Sequence, residues 1–262
     1  MRLTVDGNET YAYTGSRELE RGRRCVVFVH GAANDHSVWA LQSRYFAHHG
    51  YDVLAVDLPG HGRSAGDPLA TVERIAEWVA QLLDAAKIEQ AALVGHSLGS
   101  LAVLEAASRH PQRVRRVALL GPAVPMPVSE TLLGAAQAND PLAYEFIVGW
   151  SLSPARLLGG NPVPGLWMPG GALRLMQRSH AGALYTDLVA CNSYQSGLAA
   201  AARLRCPALV VVGTRDLMAP ALSAQALIAA LADPKVVTLE DCGHAMMAEE
   251  PDAVLDALRA FL

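Results

Sequence analysis

The chain has 262 residues, 52% hydrophobic and 18% charged, with 21 Lys plus Arg against 25 Asp plus Glu and a net charge of -4. A chain of this length buries roughly three quarters of its unfolded surface, so it folds on an apolar core without disulfides or a structural metal and is no disordered tail. Its balanced, slightly acidic charge excludes a general polyanion binder, and nucleic acid is not an expected partner.

At the N-terminus, Leu3 to Asp6 and Thr10 to Tyr13 around Gly7-Asn8 predict a hairpin that adds an antiparallel edge to a sheet. Residues Met1 to Tyr13 hold no apolar run of the roughly 7–15 residues a secretory signal needs. No run in the chain approaches the ~20 apolar residues that span a bilayer, so a cytoplasmic protein without membrane contact is expected. The cluster Arg17, Arg21, Arg23 and Arg24, interleaved with Glu18 and Glu20, reads as a solvated turn before a strand. Cys25, Cys191, Cys206 and Cys242 show neither CxxC spacing nor paired histidines, which points to reduced thiols and no metal site.

Apolar runs at Val26–Val29, Val53–Val56, Ala91–Val94, Val117–Leu120, Leu209–Val212 and Val236–Leu239 predict strands buried on both faces, as in a parallel sheet covered by helices. Helical spacing joins them: Ile75, Trp78, Val79, Leu82 and Leu83 recur at three and four between Thr71, a candidate N-cap, and Lys87. A last helix starts at Pro251 with Val254, Leu255, Leu258 and Phe261 on one face. The alternation gives an α/β fold with a mostly parallel central sheet flanked by helices. From Pro122 to about Gln195 the rhythm breaks into short amphipathic pieces punctuated by prolines, including Pro162 and Pro164. That segment is too long for a bare loop. The expected organisation is a core of residues 1–121 and 196–262 with a helical insertion at 122–195.

After the strand ending at Val94 comes Gly95-His96-Ser97-Leu98-Gly99 and then a helical pattern. The G-x-S-x-G spacing between a strand and a helix marks a sharp turn that lifts the Ser97 hydroxyl above the sheet, with glycines where side chains have no room. A nucleophilic serine needs a base, and the base an orienting acid. Asp216 follows the strand Leu209–Val212, and His244 follows Val236–Leu239 just before the final helix. Asp241 is a rival acid, but its place three residues before His244 does not orient the imidazole.

With His30-Gly31-Ala32 after the first buried strand, Asp57-Leu58-Pro59-Gly60-His61-Gly62-Arg63-Ser64 after the next, and Gly243-His244 near the end, the chain resembles the α/β-hydrolase superfamily. The resemblance covers nearly all of it except the insertion. It implies catalytic roles for Ser97, Asp216 and His244, and an oxyanion hole built from the backbone N–H groups of Ala32 and Leu98. It further implies a supporting role for Asp57 and His61, a loop-shaping role for His30, and an insertion that caps the site. His96 flanks the serine without a required role. His36, His48, His49, His110 and His180 carry no partnered motif and read as surface or packing residues.

The expected activity is serine hydrolysis of small to medium, neutral or hydrophobic carboxylic esters through an acyl-enzyme, with no metal and no cofactor. Trp150, Trp167, Met168 and Phe146 are the candidate pocket residues, among apolar neighbours such as Met126, Leu132, Leu133, Ile147, Leu157, Leu158 and Leu166. Arg156, Arg174 and Arg178 are the cations available in the insertion should a substrate carry a carboxylate. The alternatives are carbon–carbon hydrolysis of meta-cleavage-type vinylogous diketones, from which Ala32-Ala33-Asn34-Asp35 departs in lacking glycine and serine, and noncatalytic binding of a small molecule. The sequence does not define an oligomeric state.

Overall fold

A computed structural model of the chain describes residues 1–20, 22–161 and 165–262. Arg21 of the basic turn and Pro162 and Pro164 of the insertion lie outside the described residues. The opening strands β1 (Arg2–Val5) and β2 (Asn8–Tyr13) pair antiparallel with Val5 opposite Asn8. The turn therefore sits on Asp6-Gly7, one residue before the Gly7-Asn8 expected from sequence. Both residues take positive φ, 49° and 77°, the geometry that an Asp-Gly hairpin favours.

The strands β3 (Arg24–Val29), β4 (Tyr51–Val56), β5 (Ala91–His96), β6 (Val114–Leu120), β7 (Ala208–Gly213) and β8 (Lys235–Leu239) run parallel. Among the described residues they form one sheet with the hairpin, in the order β1-β2-β4-β3-β5-β6-β7-β8. The chain leaves β3 toward β4 on one side and then crosses to β5 on the other. Its winding reverses between β3 and β5, and the loops leaving those two strand ends diverge to open a crevice.

Alternate residues of each strand enter different layers, as the period of two requires. Val27 and Val29 of β3 pack beneath Ile75, Trp78 and Leu82 of α2 (Val72–Ala85) and Leu101 and Leu104 of α3 (Leu98–Arg109). Val26 and Phe28 pack beneath Phe46 of α1 (Ala40–His48) and Val254, Leu258 and Phe261 of the last helix. The expected cap of α2 is present, the Thr71 Oγ1 accepting the Arg74 N–H at 3.2 Å.

Between β6 and β7 the chain forms α4 (Glu130–Gln137), α5 (Leu142–Ser151), α6 (Pro154–Leu157), α7 (Met168–Met176) and α8 (Ala183–Ser193). Leu132, Ile147, Met176, Leu184 and Leu188 gather α4, α5, α7 and α8 into an apolar cluster of their own, which touches the sheet body at Ala33 and Met218. Helix α9 (Gly197–Arg203) instead packs on α3 and on α10 (Gln225–Ala230). After β8 come α11 (Met246–Glu249) and α12 (Pro251–Phe261). No described helix is long and apolar enough to cross a membrane.

Leu93, fully buried in β5, tests the two-layered core. Leu93→Ala is expected to lower the unfolding free energy by about 2–5 kcal/mol, read from urea titration with an unchanged slope. A change under about 0.5 kcal/mol, the size expected of surface substitutions, would contradict this packing.

Candidate active site

Ser97 sits between β5 and α3 with φ 53° and ψ -120°. A non-glycine residue held in such a conformation costs of order 1–3 kcal/mol, and the surroundings must over-determine it. The Ser97 N–H donates to the Leu120 carbonyl at 2.9 Å, and its carbonyl accepts from the Ser100 N–H at 2.8 Å and the Ser100 Oγ at 2.6 Å. Two glycines make the turn possible. A Cβ on Gly95 would lie 2.1 Å from the Gly99 carbonyl oxygen, and one on Gly99 would lie 2.4 Å from that of Val29. The end of β3 therefore rests directly on the first turn of α3, and a Cβ on Gly31 would lie 3.1 Å from the Ser97 Cβ.

Asp216 and His244 stand at the ends of β7 and β8, both nearly fully buried. The Asp216 Oδ1 accepts the N–H groups of Met218 (2.9 Å) and Ala219 (2.7 Å), leaving Oδ2 for the His244 Nδ1–H at 2.7 Å. With its proton on Nδ1, the imidazole presents a lone pair at Nε2. Gly121, at φ 58°, lies under this ring, where a Cβ would be 3.0 Å from Cε1. Asp241 is exposed and pairs with Arg215, so it does not orient His244.

The loop that carries His244 is tied to the insertion. The Ala245 N–H donates to the Ser151 carbonyl at 3.0 Å. The buried Glu249 carboxylate accepts from the N–H groups of Gly243 (3.1 Å) and Ser153 (3.0 Å). The His96 Nε2–H donates to the His244 carbonyl at 2.9 Å, so His96 braces the loop from below. Burial, and then the facing His244, push the His96 pKa well below its usual value, and the ring is neutral.

On the opposite flank of Ser97, the loop after β3 is held by a side chain that sequence reasoning did not single out. Asp187 of α8, also buried, accepts the Ala33 N–H at 2.9 Å and the His61 Nε2–H at 2.9 Å on the same oxygen. The other His61 nitrogen faces the Pro59 carbonyl at 2.9 Å. Acceptors at both nitrogens require the imidazolium form. Burial alone lowers the His61 pKa, but the Asp187 charge and hydrogen bond outweigh it and the net direction is upward. His30, whose ring lies 5.1 Å away, shows the reverse. Its Nε2 accepts the Leu58 N–H at 3.1 Å, and burial together with His61 pushes its pKa down to about 4. Asp187 was legible in principle, since Ala183, Leu184, Leu188 and Cys191 form a buried stripe of α8 and a carboxylate interrupts it.

Asp35, His36 and Asp57 place ligand-type atoms within 4.8 Å of one another. Their atoms are engaged by the protein. The Asp57 Oδ1 accepts both the backbone N–H and the Nδ1–H of His36 at 2.7 Å, its Oδ2 accepts the Arg63 N–H at 2.8 Å, and Asp35 caps a 3-10 turn at Ser37. Burial raises the Asp57 pKa, yet these hydrogen bonds outweigh it and hold the carboxyl below its usual range. His36 is thus a partnered residue rather than a bystander.

A cavity of about 940 Å³ opens over Ser97 and His244 and is also lined by His96, Gly31 and Ala32. Trp150, Trp167 and Met168 line it, as do Met126, Leu132, Ile147 and Leu166. Phe146 does not. It stacks on the outer face of the Trp150 ring at 5.3 Å, one step behind the cavity wall, because its position on α5 turns it away. Arg156, Arg174 and Arg178 also stay outside, the first paired with Glu250 at 2.7 Å and the last near Asp35.

Residues 26–257 match the profile of the alpha/beta hydrolase family. The chain belongs to this family. Across 90% of its length the hydrolase is 31% identical to a pimeloyl-[acyl-carrier protein] methyl ester esterase of Xanthomonas campestris pv. campestris, of which it covers 94%. It is 25% identical to an (E)-2-((N-methylformamido)methylene)succinate hydrolase of Acinetobacter baylyi, over 99% of this chain and 97% of that one. An enol-lactonase from Burkholderia xenovorans has the same fold, with a TM-score of 0.87 at 24% identity over 100% of this chain and 99% of that one.

Two outcomes check this geometry. Gly99→Ala should destabilise the hydrolase by about 1–3 kcal/mol through overpacking, whereas Gly134→Ala, with open space around an exposed helical site, should stabilise it by about 0.5–1 kcal/mol. Equal effects in urea titration would argue against the close contact of α3 with β3. Because the folded pKa of His61 is raised, its contribution is complete below the unfolded value of about 6.5 and is lost as pH rises through the folded value. The stability gap between wild type and His61→Gln should therefore narrow from pH 6 to pH 9. A gap that widens would reverse the assigned charge state.

Proposed function

We propose that the protein is a serine hydrolase of neutral carboxylic esters. One observation carries the reading: a serine in a strained turn and a histidine held by a buried aspartate line one cavity. In this mechanism the His244 Nε2 takes the Ser97 proton as Oγ attacks the ester carbonyl. The N–H groups of Ala32 and Leu98 receive the developing oxyanion, the latter being a first-turn amide of α3 with no intrahelical partner. Asp216 holds the ring and balances the imidazolium, which then protonates the leaving alcohol. Water, deprotonated by His244, releases the acyl group from Ser97.

The insertion acts as a cap that walls the site with apolar side chains. Among the described residues lining the cavity there is no Lys, Arg, Asp or Glu, which favours an uncharged substrate. This separates the hydrolase from its Acinetobacter relative, whose named substrate is a succinate, and favours the ester chemistry named for the Xanthomonas relative. The four cysteines are free, in keeping with a reducing compartment such as the cytoplasm.

The test is hydrolysis of p-nitrophenyl esters from acetyl to dodecanoyl, wild type beside Ser97→Ala, with a ring-cleavage dienoate as a further substrate. Wild type should turn over the esters, and Ser97→Ala should lose at least about 10³-fold in kcat with unchanged thermal unfolding. Asp216→Asn should lose about 10³ to 10⁴-fold. Turnover of the dienoate alone would move the assignment to carbon–carbon hydrolysis. Silence on every substrate, with no labelling of Ser97 by a fluorophosphonate, would make the protein a binder.

A further inference from the structure

The loop that supplies the Ala32 N–H is a four-residue turn whose conformation its own sequence does not favour. The Asn34 N–H donates to the Gly31 carbonyl at 3.2 Å, and of the two central residues Ala33 has a positive φ, 54°, while Ala32 does not. That combination is a type II turn, which asks for glycine or asparagine at its third position. Two alanines in the centre instead favour type I, in which the peptide between Ala32 and Ala33 is rotated by about half a turn.

Both ends of the strained residue are gripped from the insertion. The Ala33 N–H donates to the Asp187 Oδ2 at 2.9 Å, and the Ala33 carbonyl accepts the Ser179 Oγ–H at 2.9 Å. Ala33 is fully buried, so water does not substitute for either partner. Asp187 is in turn fixed by His61, which belongs to the loop after β4. We infer that Asp187, with Ser179, is a positioning residue: by gripping the peptide after Ala32 and holding Ala33 at positive φ, it fixes Ala32 from its C-terminal side, so that the Ala32 N–H, carried by the preceding peptide, keeps its aim at the oxyanion. Seating of α8 over the site thereby completes the hole, and the insertion sets rate as well as specificity. This rests on the serine-hydrolase reading above.

The experiment compares a p-nitrophenyl ester with its thionoester analogue, in which sulfur replaces the carbonyl oxygen. Sulfur is a poor hydrogen-bond acceptor, so the oxygen-to-sulfur ratio of kcat/KM reports on the oxyanion donors. Asp187→Ala should lower kcat/KM for the oxygen ester by about 10 to 100-fold, part of the ~10² to 10³-fold that a whole donor is worth, and should lower the ratio with it. Adding Ala33→Gly should recover at least about tenfold and restore the ratio, because glycine takes the third position of a type II turn without strain. If Asp187→Ala does not fold, Ser179→Ala carries the test, with a loss of about 3 to 10-fold, again reversed by Ala33→Gly. An active wild type whose Asp187→Ala or Ser179→Ala variant keeps its ratio, or is not rescued by Ala33→Gly, overturns the positioning role alone. A wild type silent on both esters overturns the serine-hydrolase reading and this inference with it.

Discussion

The backbone of Gly99 rests on the backbone of β3 with no side chain between them, and the rest of the candidate site depends on that contact. It brings the end of β3 and the start of α3 together at the point where the sheet changes winding direction. The loop after β3 and the turn after β5 then have no room to diverge. A side chain on Gly31 would crowd the Ser97 Cβ, and Gly95 lets the turn close. A crevice that the topology would have opened anyway thus acquires closely packed main chain on either side. The positions of the two sides follow from packing of main chain on main chain in an interior of low compressibility.

Charge is handled around this contact by pairing. Asp57, Asp187 and Asp216 are all buried, and each accepts from a histidine: His36, His61 and His244. Burying a lone carboxylate is strongly unfavourable, so the pairs make the polar layer beneath the cavity tolerable. Glu249 reaches the same end with backbone amides. What distinguishes the pairs is access. Of the three histidines, only His244 lines the cavity; His36 is held by Asp57, and His61 lies between Asp187 and the Pro59 carbonyl. The same dyad chemistry therefore serves as scaffold in two places and is open to a ligand in one.

This pairing explains which parts of the molecule were legible in the sequence. Strands apolar on both faces and helices with three-and-four spacing are set by local pattern, and so the parallel sheet and its covering helices could be read directly. Ser97, Asp216 and His244 follow strand ends at motifs whose glycines are needed by close backbone contact, and their placement in the fold could be read too. The exact turn of the hairpin could not, because Asp6-Gly7 and Gly7-Asn8 are both plausible and the register with β2 decides. Asp187 and Glu249 were missed for a different reason. Each accepts from an N–H far away in the chain, 154 residues for Asp187 and 96 for Glu249, and only the fold brings that donor to the carboxylate. Phe146 was misplaced because helical spacing says that an aromatic residue is buried but not whether it faces the cavity or the ring of Trp150.

The links between insertion and sheet body show why the two have to be considered together. One side of the site hangs on Ser151 and Ser153, which hold the His244 loop through Ala245 and Glu249. The other hangs on Asp187 and Ser179, which hold the loop after β3. These ties grip the loops on the two sides of Ser97, one from the junction of α5 and α6 and one from the region of α8. Neither loop is held by its own strand alone, since each leaves the sheet at a glycine-rich or positive-φ segment with little conformational preference of its own. Helices that appear as an interruption in the alternating pattern of the chain therefore supply the constraints that the strand ends lack. A substitution in the insertion far from Ser97 along the chain can change the geometry on either side of it without altering a single group that faces the cavity.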